Sequence, residues 1–233
     1  MKEITCVLFD LYGTLVDIHT DEEDPGLWRT MAWCLGLRGK PWEPDELRQA
    51  YREACLQAEE KLREETEYPE IDILPVWEKL ADTDEAGARE MAVFFRALSM
   101  RKLRLFPGAR EVLNGLRALG KTVVLLSNAQ SAFTRPELRL LGIEACFDHI
   151  FLSSEAGIKK PAPAFFRLPE REGINLKTCI MVGNDHVCDC EGAASVGMKS
   201  LYVHTEQSPA RPESLPKGCR EIRDIRDVLR LIR

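Results

Sequence analysis

Residues 4–17 read ITCVLFDLYGTLVD, a buried strand followed by a short polar loop. The segment Ile4–Phe9 is almost continuously apolar, which is typical of a strand buried on both faces of a parallel sheet. Asp10 follows the strand directly, and Gly13–Thr14 predicts a tight turn whose main-chain N–H groups favour a nearby anion. This stretch therefore predicts an α/β fold with a polar site at the end of its first strand.

The sequence after residue 106 alternates between strand and helix patterns. Because helices separate the strands, this alternation predicts a doubly wound α/β unit with parallel strands and helices on both faces. The predicted strands are 122–126, 149–153, 178–182 and 200–204, and the predicted helices are 109–119, 134–141, 163–172, 187–196 and 221–232. Residues 205–220 are rich in proline and predict a surface loop.

A stretch of different composition separates the first strand from this alternation. Residues 17–104 contain 21 acidic and 13 basic residues, a net charge of −8, whereas the whole chain has −6. All four tryptophans lie there, and we expect them mainly to fill the core of a small helical unit. We predict an α/β core from residues 1–15 and 106–233, with an all-helical insertion over 16–105. The predicted helices of the insertion are 26–38, 44–66, 74–80 and 84–102.

The overall composition narrows the classes of protein. The chain has 233 residues, of which 45% are hydrophobic and 30% charged, as in ordinary globular domains. Its acidic balance disfavours nucleic-acid binding, and no apolar run is long enough to span a membrane. Eight cysteines without a CxxC motif are expected to be reduced thiols, and the amino-terminal residues do not resemble a signal peptide. We therefore expect a cytoplasmic protein; the sequence leaves its oligomeric state open.

Polar side chains follow four of the predicted strands. In an open α/β sheet, ligands bind beyond the carboxyl ends of the strands, so these side chains are expected to converge. Each could instead be a turn or helix-capping residue when taken alone. Together they comprise a carboxylate nucleophile, hydrogen-bond donors and an ammonium that can stabilise negative charge, and a second carboxylate cluster. This set suits the transfer of a small anionic group. The residues are Asp10, Ser127 with Asn128, Lys160, and Asn184 with Asp185 and Asp189.

These motifs resemble those of the haloacid dehalogenase-like hydrolase superfamily, over nearly the whole chain and in the same order. The motifs are FDLYGTLVD, VVLLSN, SSEAGIKKPAPAFF and MVGNDHVCDCEGAASVG. The resemblance implies a Rossmann-like three-layer sandwich with a mainly parallel sheet. It also implies that the inserted helices form a cap that closes over the site.

The resemblance also implies roles for individual residues. Asp10 is the expected nucleophile, with Lys160 and Ser127 as further catalytic residues and Asp189 as a supporting acid. Substrate contacts are expected from Tyr12, Gly13, Thr14 and Asn128. A Mg²⁺ ion is expected on Asp10, the main-chain carbonyl of Tyr12, Asn184 and Asp185, because Mg²⁺ prefers oxygen ligands.

Two departures leave the reaction open. In the family's phosphatases the residue two positions after the nucleophile is an acid that protonates the leaving group. Here that residue is Tyr12, and the resulting motif is similar to that of 2-haloacid dehalogenases. The fourth motif has Gly183–Asn184–Asp185 where phosphatases carry Gly-Asp, and it lacks the serine and asparagine of dehalogenases. The expected function is a Mg²⁺-dependent phosphatase acting on a small anionic substrate through an aspartyl-phosphate. The alternatives are a metal-independent 2-haloacid dehalogenase and a non-catalytic binding protein.

Overall fold

The computed structural model describes residues 4–232 and is built on a six-stranded parallel sheet with strand order β5-β4-β1-β6-β7-β8. The strands are β1 (Cys6–Phe9), β2 (Val16–Thr20), β3 (Met100–Leu105), β4 (Thr122–Ser127), β5 (His149–Leu152), β6 (Cys179–Gly183), β7 (Lys199–Val203) and β8 (Cys219–Ile222). The helices are α1 (Pro25–Leu37), α2 (Pro44–Arg63), α3 (Leu74–Ala81), α4 (Glu85–Ser99), α5 (Ala109–Ala118), α6 (Ser131–Leu140), α7 (Ser153–Ala156), α8 (Pro163–Phe166), α9 (Gly192–Ser195) and α10 (Asp227–Leu231).

The first strand lies at the centre of the sheet, as its apolar sequence predicts. Val7 and Phe9 pack into the hydrophobic cluster on one face, and Cys6 and Leu8 pack into the cluster on the other. Side chains that alternate between two buried faces require a layer on each side of the sheet. The predicted α/β three-layer sandwich with a mainly parallel sheet is therefore confirmed.

The register of the central strands brings the predicted site residues to one edge of the sheet. Phe9 lies opposite Leu125 on β4 and Val182 on β6. Because the three strands are parallel, their carboxyl ends point the same way, and the residues that follow them share one crevice.

The helices α1–α4 surround a separate hydrophobic cluster rich in aromatic residues. Trp28, Tyr51, Trp77 and Phe95 pack with ring centroids 5.2–5.4 Å apart. Trp28 and Trp77 fill the centre of this cluster, whereas Trp33 is 65% exposed on α1. Within residues 4–232, no helix is long and apolar enough to cross a membrane.

The ends of the stretch predicted to be all-helical are strands instead. The helix predicted over 84–102 ends at Ser99, and β3 pairs with β2 as an antiparallel two-stranded ribbon. Val16, Ile18, Leu103 and Leu105 pack the ribbon against the cluster of the α/β core. The apolar periodicity that indicated a helix runs into β3 without a visible break, which is why the sequence prediction was too long.

Three other predicted helices are shorter or interrupted. The region 163–172 divides into α8 and a 3₁₀ turn that contains Pro169, which cannot donate a main-chain hydrogen bond. In 187–196, residues His186–Glu191 form a π-helical turn before α9. The predicted carboxyl-terminal helix 221–232 begins as the edge strand β8, and only α10 is helical. Residues 1–3 and 233 of the predicted core lie outside the described residues.

Candidate active site

Asp10 follows β1 in the crevice and is held from three directions. Its main-chain N–H donates to the Val182 carbonyl at 3.0 Å, which continues the sheet by one residue. Its Oδ1 accepts from Lys160 Nζ at 2.7 Å and from Ser127 Oγ at 3.4 Å, and its Oδ2 accepts from Thr14 Oγ1 at 3.1 Å. The side chain of Asp10, 11% exposed, therefore has a fixed orientation at the sheet edge.

Lys160 is a buried ammonium between two carboxylates. Its Nζ lies 2.7 Å from Asp10 Oδ1 and 2.7 Å from Asp189 Oδ1. Burial opposes the charge of Lys160, but the carboxylates of Asp10 and Asp189 outweigh burial and raise its pKa. Asn128 clamps the main chain of Lys160, donating from Nδ2 to its carbonyl at 3.0 Å and accepting from its N–H at 2.8 Å.

Asp189 is completely buried behind Lys160 and supports the loop after β6. Its Oδ2 accepts from the Asp185 N–H at 3.0 Å. Burial raises the pKa of Asp189, and the ion pair with Lys160 opposes this effect. A side chain at Gly183 would collide with the Asp189 carboxylate at 2.1 Å, so only glycine fits there.

Asp185 performs a structural task at the start of the π-helical turn. Its Oδ1 accepts from the N–H groups of Val187 and Cys188, each at 2.9 Å. This is the capping role that the sequence left open for this residue. Its other oxygen makes no hydrogen bond with residues 4–232, and Asp185 still lines the pocket beside Asp10.

Asn184 and the loop after β1 are packed directly against each other. Asn184 Oδ1 accepts from Thr14 Oγ1 at 3.2 Å, and Asn184 Nδ2 donates to Ser208 Oγ at 3.3 Å. Gly13 has φ +82°, and a Cβ there would lie 2.3 Å from Asn184 Nδ2. The turn at Gly13 therefore needs glycine for its conformation and for this close approach.

The predicted surface loop 205–220 contributes to the site. Thr205 Oγ1 donates to the Gly13 carbonyl at 2.7 Å, and Gln207 Nε2 donates to Asp17 Oδ1 at 2.7 Å. Gln207 and Pro209 line the pocket. Sequence reasoning missed these residues because a loop rich in proline and polar residues carries no signal of which element it covers.

Tyr12 points its hydroxyl towards α6. The hydroxyl donates to Glu137 Oε2 at 2.5 Å and lies 3.0 Å from Thr134 Oγ1. The Arg96 guanidinium from α4 binds Glu137 Oε1 at 2.6 Å and lies over the Tyr12 ring, 5.7 Å from its centroid. Burial, reinforced by the Glu137 carboxylate, raises the pKa of Tyr12.

Sequence analysis missed Arg96 and Glu137, although helical spacing places Glu137 with the apolar Phe133 and Leu141.

The pocket beside Asp10 has a volume of about 210 Å³ and an acidic lining. Three carboxyl groups face one ammonium there, so acidic groups outnumber basic ones in the lining. The lining residues are Asp10, Tyr12, Asn128, Lys160, Asn184, Asp185, Cys188, Asp189, Gln207 and Pro209. An anionic substrate would therefore need additional positive charge in this pocket.

Several main-chain groups near Asp10 are available to a ligand. Among residues 4–232, the N–H groups of Leu11, Tyr12 and Asn128 donate no hydrogen bond, and the Tyr12 carbonyl accepts none. Main-chain N–H groups that converge on one point can stabilise negative charge that develops in a reaction.

The predicted magnesium ligands suit the ion by their chemistry. No three His, Cys, Asp or Glu side chains in the described part of the chain are grouped as metal ligands. A Mg²⁺ ion would therefore be held by the Asp10 carboxylate, the free Tyr12 carbonyl and the Asn184 amide oxygen, with water, beside the Asp185 carboxylate. Hard oxygen ligands and the pocket's negative charge both favour this ion.

The sequence was also compared with models of known protein families. Residues 4–197 match the model described as haloacid dehalogenase-like hydrolase. The chain belongs to this family. The family prediction made from the four motifs is thus confirmed, and the protein is a hydrolase of this superfamily.

Relatives within the family divide between two reactions. The chain is 25% identical to (S)-2-haloacid dehalogenase 2 of Pseudomonas sp. (strain CBS-3), over 95% of each chain. It is 32% identical to the phosphoserine phosphatase of Thermus thermophilus, over 62% of this chain and 59% of that enzyme.

Solved structures of a phosphatase and of a dehalogenase both share the fold of this chain. A HAD phosphatase from Thermococcus onnurineus has a TM-score of 0.65 at 23% identity, over 98% of each chain. A 2-haloacid dehalogenase from Pseudomonas syringae pv. Tomato has a TM-score of 0.66 at 18% identity, also over 98% of each chain.

Proposed function

We propose that this protein is a Mg²⁺-dependent phosphatase of small molecules that transfers a phosphoryl group to Asp10 and then to water. The roles of Asp10, Ser127 and Lys160 in catalysis, of Gly13, Thr14 and Asn128 at the substrate, and of Asp189 in support are part of this proposal. The further assignment of residues 16–105 as a cap over the site also belongs to it.

The observation that carries the choice of reaction is the charge of the pocket. Three carboxylates and one ammonium line it, and no arginine is among the lining residues. A 2-haloacid carries a carboxylate that would meet this acidic lining, in which the one ammonium, that of Lys160, is already paired with Asp10 and Asp189. A phosphate ester meets the same charge, but Mg²⁺ on the oxygen ligands described above would neutralise it. When bound, the ion supplies positive charge for the phosphoryl oxygens.

The chain's own residues divide the chemistry between them. An Asp10 oxygen forms a bond to phosphorus, and the bond to the leaving oxygen breaks. Lys160 and Ser127 orient the Asp10 carboxylate, and the Lys160 ammonium also binds Asp189. The free N–H groups of Leu11, Tyr12 and Asn128 are available to the phosphoryl oxygens. Water then attacks phosphorus, which releases phosphate and regenerates the Asp10 carboxylate.

An activity assay with a matched variant tests the proposal. We expect 4-nitrophenyl phosphate to be hydrolysed in millimolar Mg²⁺ and turnover to be lost in EDTA. Asp10→Asn should fold normally, because the amide has the same shape, but should lose essentially all turnover. Retained activity in Asp10→Asn, with mass spectrometry excluding deamidation back to aspartate, would overturn the mechanism.

A 2-haloacid dehalogenase is the second candidate. The dehalogenase relative covers 95% of the chain, whereas the phosphatase relative covers 62%. Tyr12 also stands where the sequence motif of dehalogenases has tyrosine. Release of chloride from 2-chloropropionate in EDTA, without turnover of any phosphomonoester, would favour this candidate over the phosphatase.

A further inference from the structure

Tyr12 is the one hydroxyl among the side chains lining the pocket, and its proton is already engaged. Its O–H donates to Glu137 Oε2 at 2.5 Å and has Thr134 Oγ1 as a second neighbour at 3.0 Å. Both partners belong to α6, outside the pocket lining. A proton held by a carboxylate in this way is not directed at an oxygen that leaves from phosphorus beside Asp10.

The arrangement of Tyr12 is fixed from the opposite side by α4. Arg96 Nε donates to Glu137 Oε1 at 2.6 Å, and its guanidinium lies over the rings of Tyr12 and Phe133, 5.7 and 5.1 Å from their centroids. The Arg96 and Glu137 side chains are only 13% and 5% exposed. Turning the Tyr12 hydroxyl into the pocket would break its hydrogen bond to the buried Glu137 carboxylate, and a hydrogen bond to a charged group contributes more to stability than one between neutral groups.

The nitrogen-bearing side chains that line the pocket also make hydrogen bonds to protein acceptors. Lys160 donates to Asp10 and Asp189, and the Asn128 amide donates to the Lys160 carbonyl. The Asn184 amide donates to Ser208, and the Gln207 amide donates to Asp17 and the Ile18 carbonyl. The other lining groups are carboxylates, a proline and the Cys188 thiol, which lies beside the Asp185 carboxylate.

We infer that this site acts on activated phosphoryl donors of the acyl phosphate class, whose leaving group departs without a proton, rather than on alkyl phosphate esters. This inference rests on the proposed phosphatase function and narrows its substrate class. It follows because, among the described lining residues, the one hydroxyl gives its proton to Glu137, the Lys160 ammonium is paired with two carboxylates, and Asp185 caps the π-helical turn. The free main-chain N–H groups can stabilise negative charge but are far too weakly acidic to protonate an alkoxide.

The bond changes of the first step account for this preference. Asp10 forms a bond to phosphorus, the bond between phosphorus and the leaving oxygen breaks, and the electron pair stays on that oxygen. From an acyl phosphate the product is a carboxylate, which is stable at neutral pH because carboxyl groups have pKa values near 4. An alkyl ester would release a strongly basic alkoxide, which requires a general acid. Water then takes the phosphoryl group from Asp10 in either case.

The leaving-group dependence of kcat/KM tests the inference. Acetyl phosphate, 4-nitrophenyl phosphate, phenyl phosphate and ethyl phosphate are assayed in millimolar Mg²⁺, with blanks containing Asp10→Asn in place of the wild type. We expect kcat/KM to fall steadily as the leaving group becomes more basic, with acetyl phosphate favoured over ethyl phosphate by at least about 10²-fold, since a general acid that would offset leaving-group basicity contributes about 10²–10⁴-fold. Ethyl phosphate within tenfold of acetyl phosphate would overturn the inference and leave the phosphatase function standing. Absence of turnover with all four would overturn the phosphatase function itself.

A variant of Tyr12 separates a structural role from a proton-donating one. Tyr12→Phe keeps the ring beneath Arg96 and removes the hydroxyl. If the hydroxyl is not the acid, kcat/KM for acetyl phosphate and for ethyl phosphate should change by the same factor, and their ratio should stay constant. A loss confined to ethyl phosphate would overturn the inference. Glu85→Gln on the exposed face of α4, where Glu85 pairs with Arg89, is the matched control and should leave both substrates unaffected.

Discussion

Lys160 is the residue on which the electrostatics of the pocket depend. Its ammonium, 2% exposed, is shared by the carboxylates of Asp10 and Asp189. Lys160→Ala would leave both carboxylates buried without a counterion, so we expect the free energy of unfolding to fall by about 3–5 kcal/mol. Urea unfolding measures this loss, and turnover should fall with it.

Two further variants define what Lys160 contributes. Lys160→Arg keeps the charge, but its broad planar guanidinium does not fit between two oxygens that each lie 2.7 Å from a single nitrogen, so turnover should also fall. Lys159→Ala removes the adjacent lysine, whose side chain makes no ion pair within residues 4–232, and should leave turnover and stability near wild type. Normal turnover in Lys160→Arg would contradict a role that depends on the shape of lysine.

Tyr12→Asp tests the missing acid directly. A carboxyl group at this position can supply a proton to the leaving oxygen, so we expect hydrolysis of ethyl phosphate to rise by about 10–10⁴-fold, with little gain for 4-nitrophenyl phosphate. The new carboxylate could repel Asp10, so folding and Mg²⁺ affinity are measured first. A folded, Mg²⁺-binding variant with no gain on any phosphomonoester, while the wild type releases halide from a 2-haloacid, would contradict the phosphatase account.

The sequence identified the residues of the crevice better than the residues that hold them. Asp10, Ser127, Lys160 and Asp189 follow strands, so the rule that parallel strands end at one edge was sufficient to predict their convergence. Their individual roles stay predictions. Arg96 and Glu137 lie on helices of different parts of the chain, and their ion pair depends on how α4 packs against α6. No local pattern encodes that packing.

At the scale of elements, the β2–β3 ribbon joins the α/β core to the helices α1–α4. Asp17 on β2 pairs with Lys102 at 2.7 Å and with Arg104 at 2.8 Å, both on β3. It also accepts from Gln207, which lines the pocket. This carboxylate therefore ties the ribbon to the loop that covers the site.

Asp17→Asn should weaken the ribbon. The loss of a charged acceptor for three donors is expected to lower the free energy of unfolding by about 1–3 kcal/mol at pH 7. The pKa of Asp17 is lowered by the hydrogen bond from Lys102 and by the positive charge of that residue. Arg104 lowers the pKa in the same two ways. The stabilisation is therefore complete above the ordinary aspartate pKa of about 3.9 and is lost as the pH falls through the lower pKa of the folded state.

The pH dependence of this difference provides the measurement. Urea unfolding of the wild type and of Asp17→Asn should differ at pH 7 and converge at strongly acidic pH. Glu23→Gln, on an exposed carboxylate that pairs with Arg48 and Arg52, is the control and should change stability little. A difference that stays constant down to the acid limit would contradict the ion-pair explanation.

The elements also show where sequence patterns stop being informative. Five of the six strands of the parallel sheet, β1 and β4–β7, could be predicted because buried strands form continuous apolar runs bounded by turn residues. The ribbon β2–β3 and the edge strand β8 could not, because their exposed positions carry charged residues such as Lys102, Arg104 and Glu221 that suit helices equally well. Their strand conformation is determined by pairing with residues distant in sequence.

At the scale of the whole molecule, two hydrophobic clusters support two different tasks. The clusters on both faces of the sheet fix the strand ends, and hence the geometry of Asp10 and Lys160. The aromatic cluster of α1–α4 supports Arg96, which reaches α6 and the ring of Tyr12. The site therefore depends on contacts between both parts of the chain, although its reactive groups all come from the sheet edge.

The position of labelled oxygen after turnover shows whether the site carries out phosphoryl transfer, with water attacking phosphorus, or displaces halide, with water attacking an aspartyl ester. The enzyme is allowed many turnovers of 4-nitrophenyl phosphate in oxygen-18 water with Mg²⁺, and in parallel is incubated with 2-chloropropionate. Mass spectrometry then measures the released phosphate and the peptide that contains Asp10. Because water attacks phosphorus in a phosphatase, we expect labelled phosphate and an unlabelled Asp10 peptide, with no chloride released. Chloride release together with oxygen-18 in the Asp10 carboxylate would contradict the phosphatase function, because water would then have attacked the carbonyl carbon of an aspartyl ester.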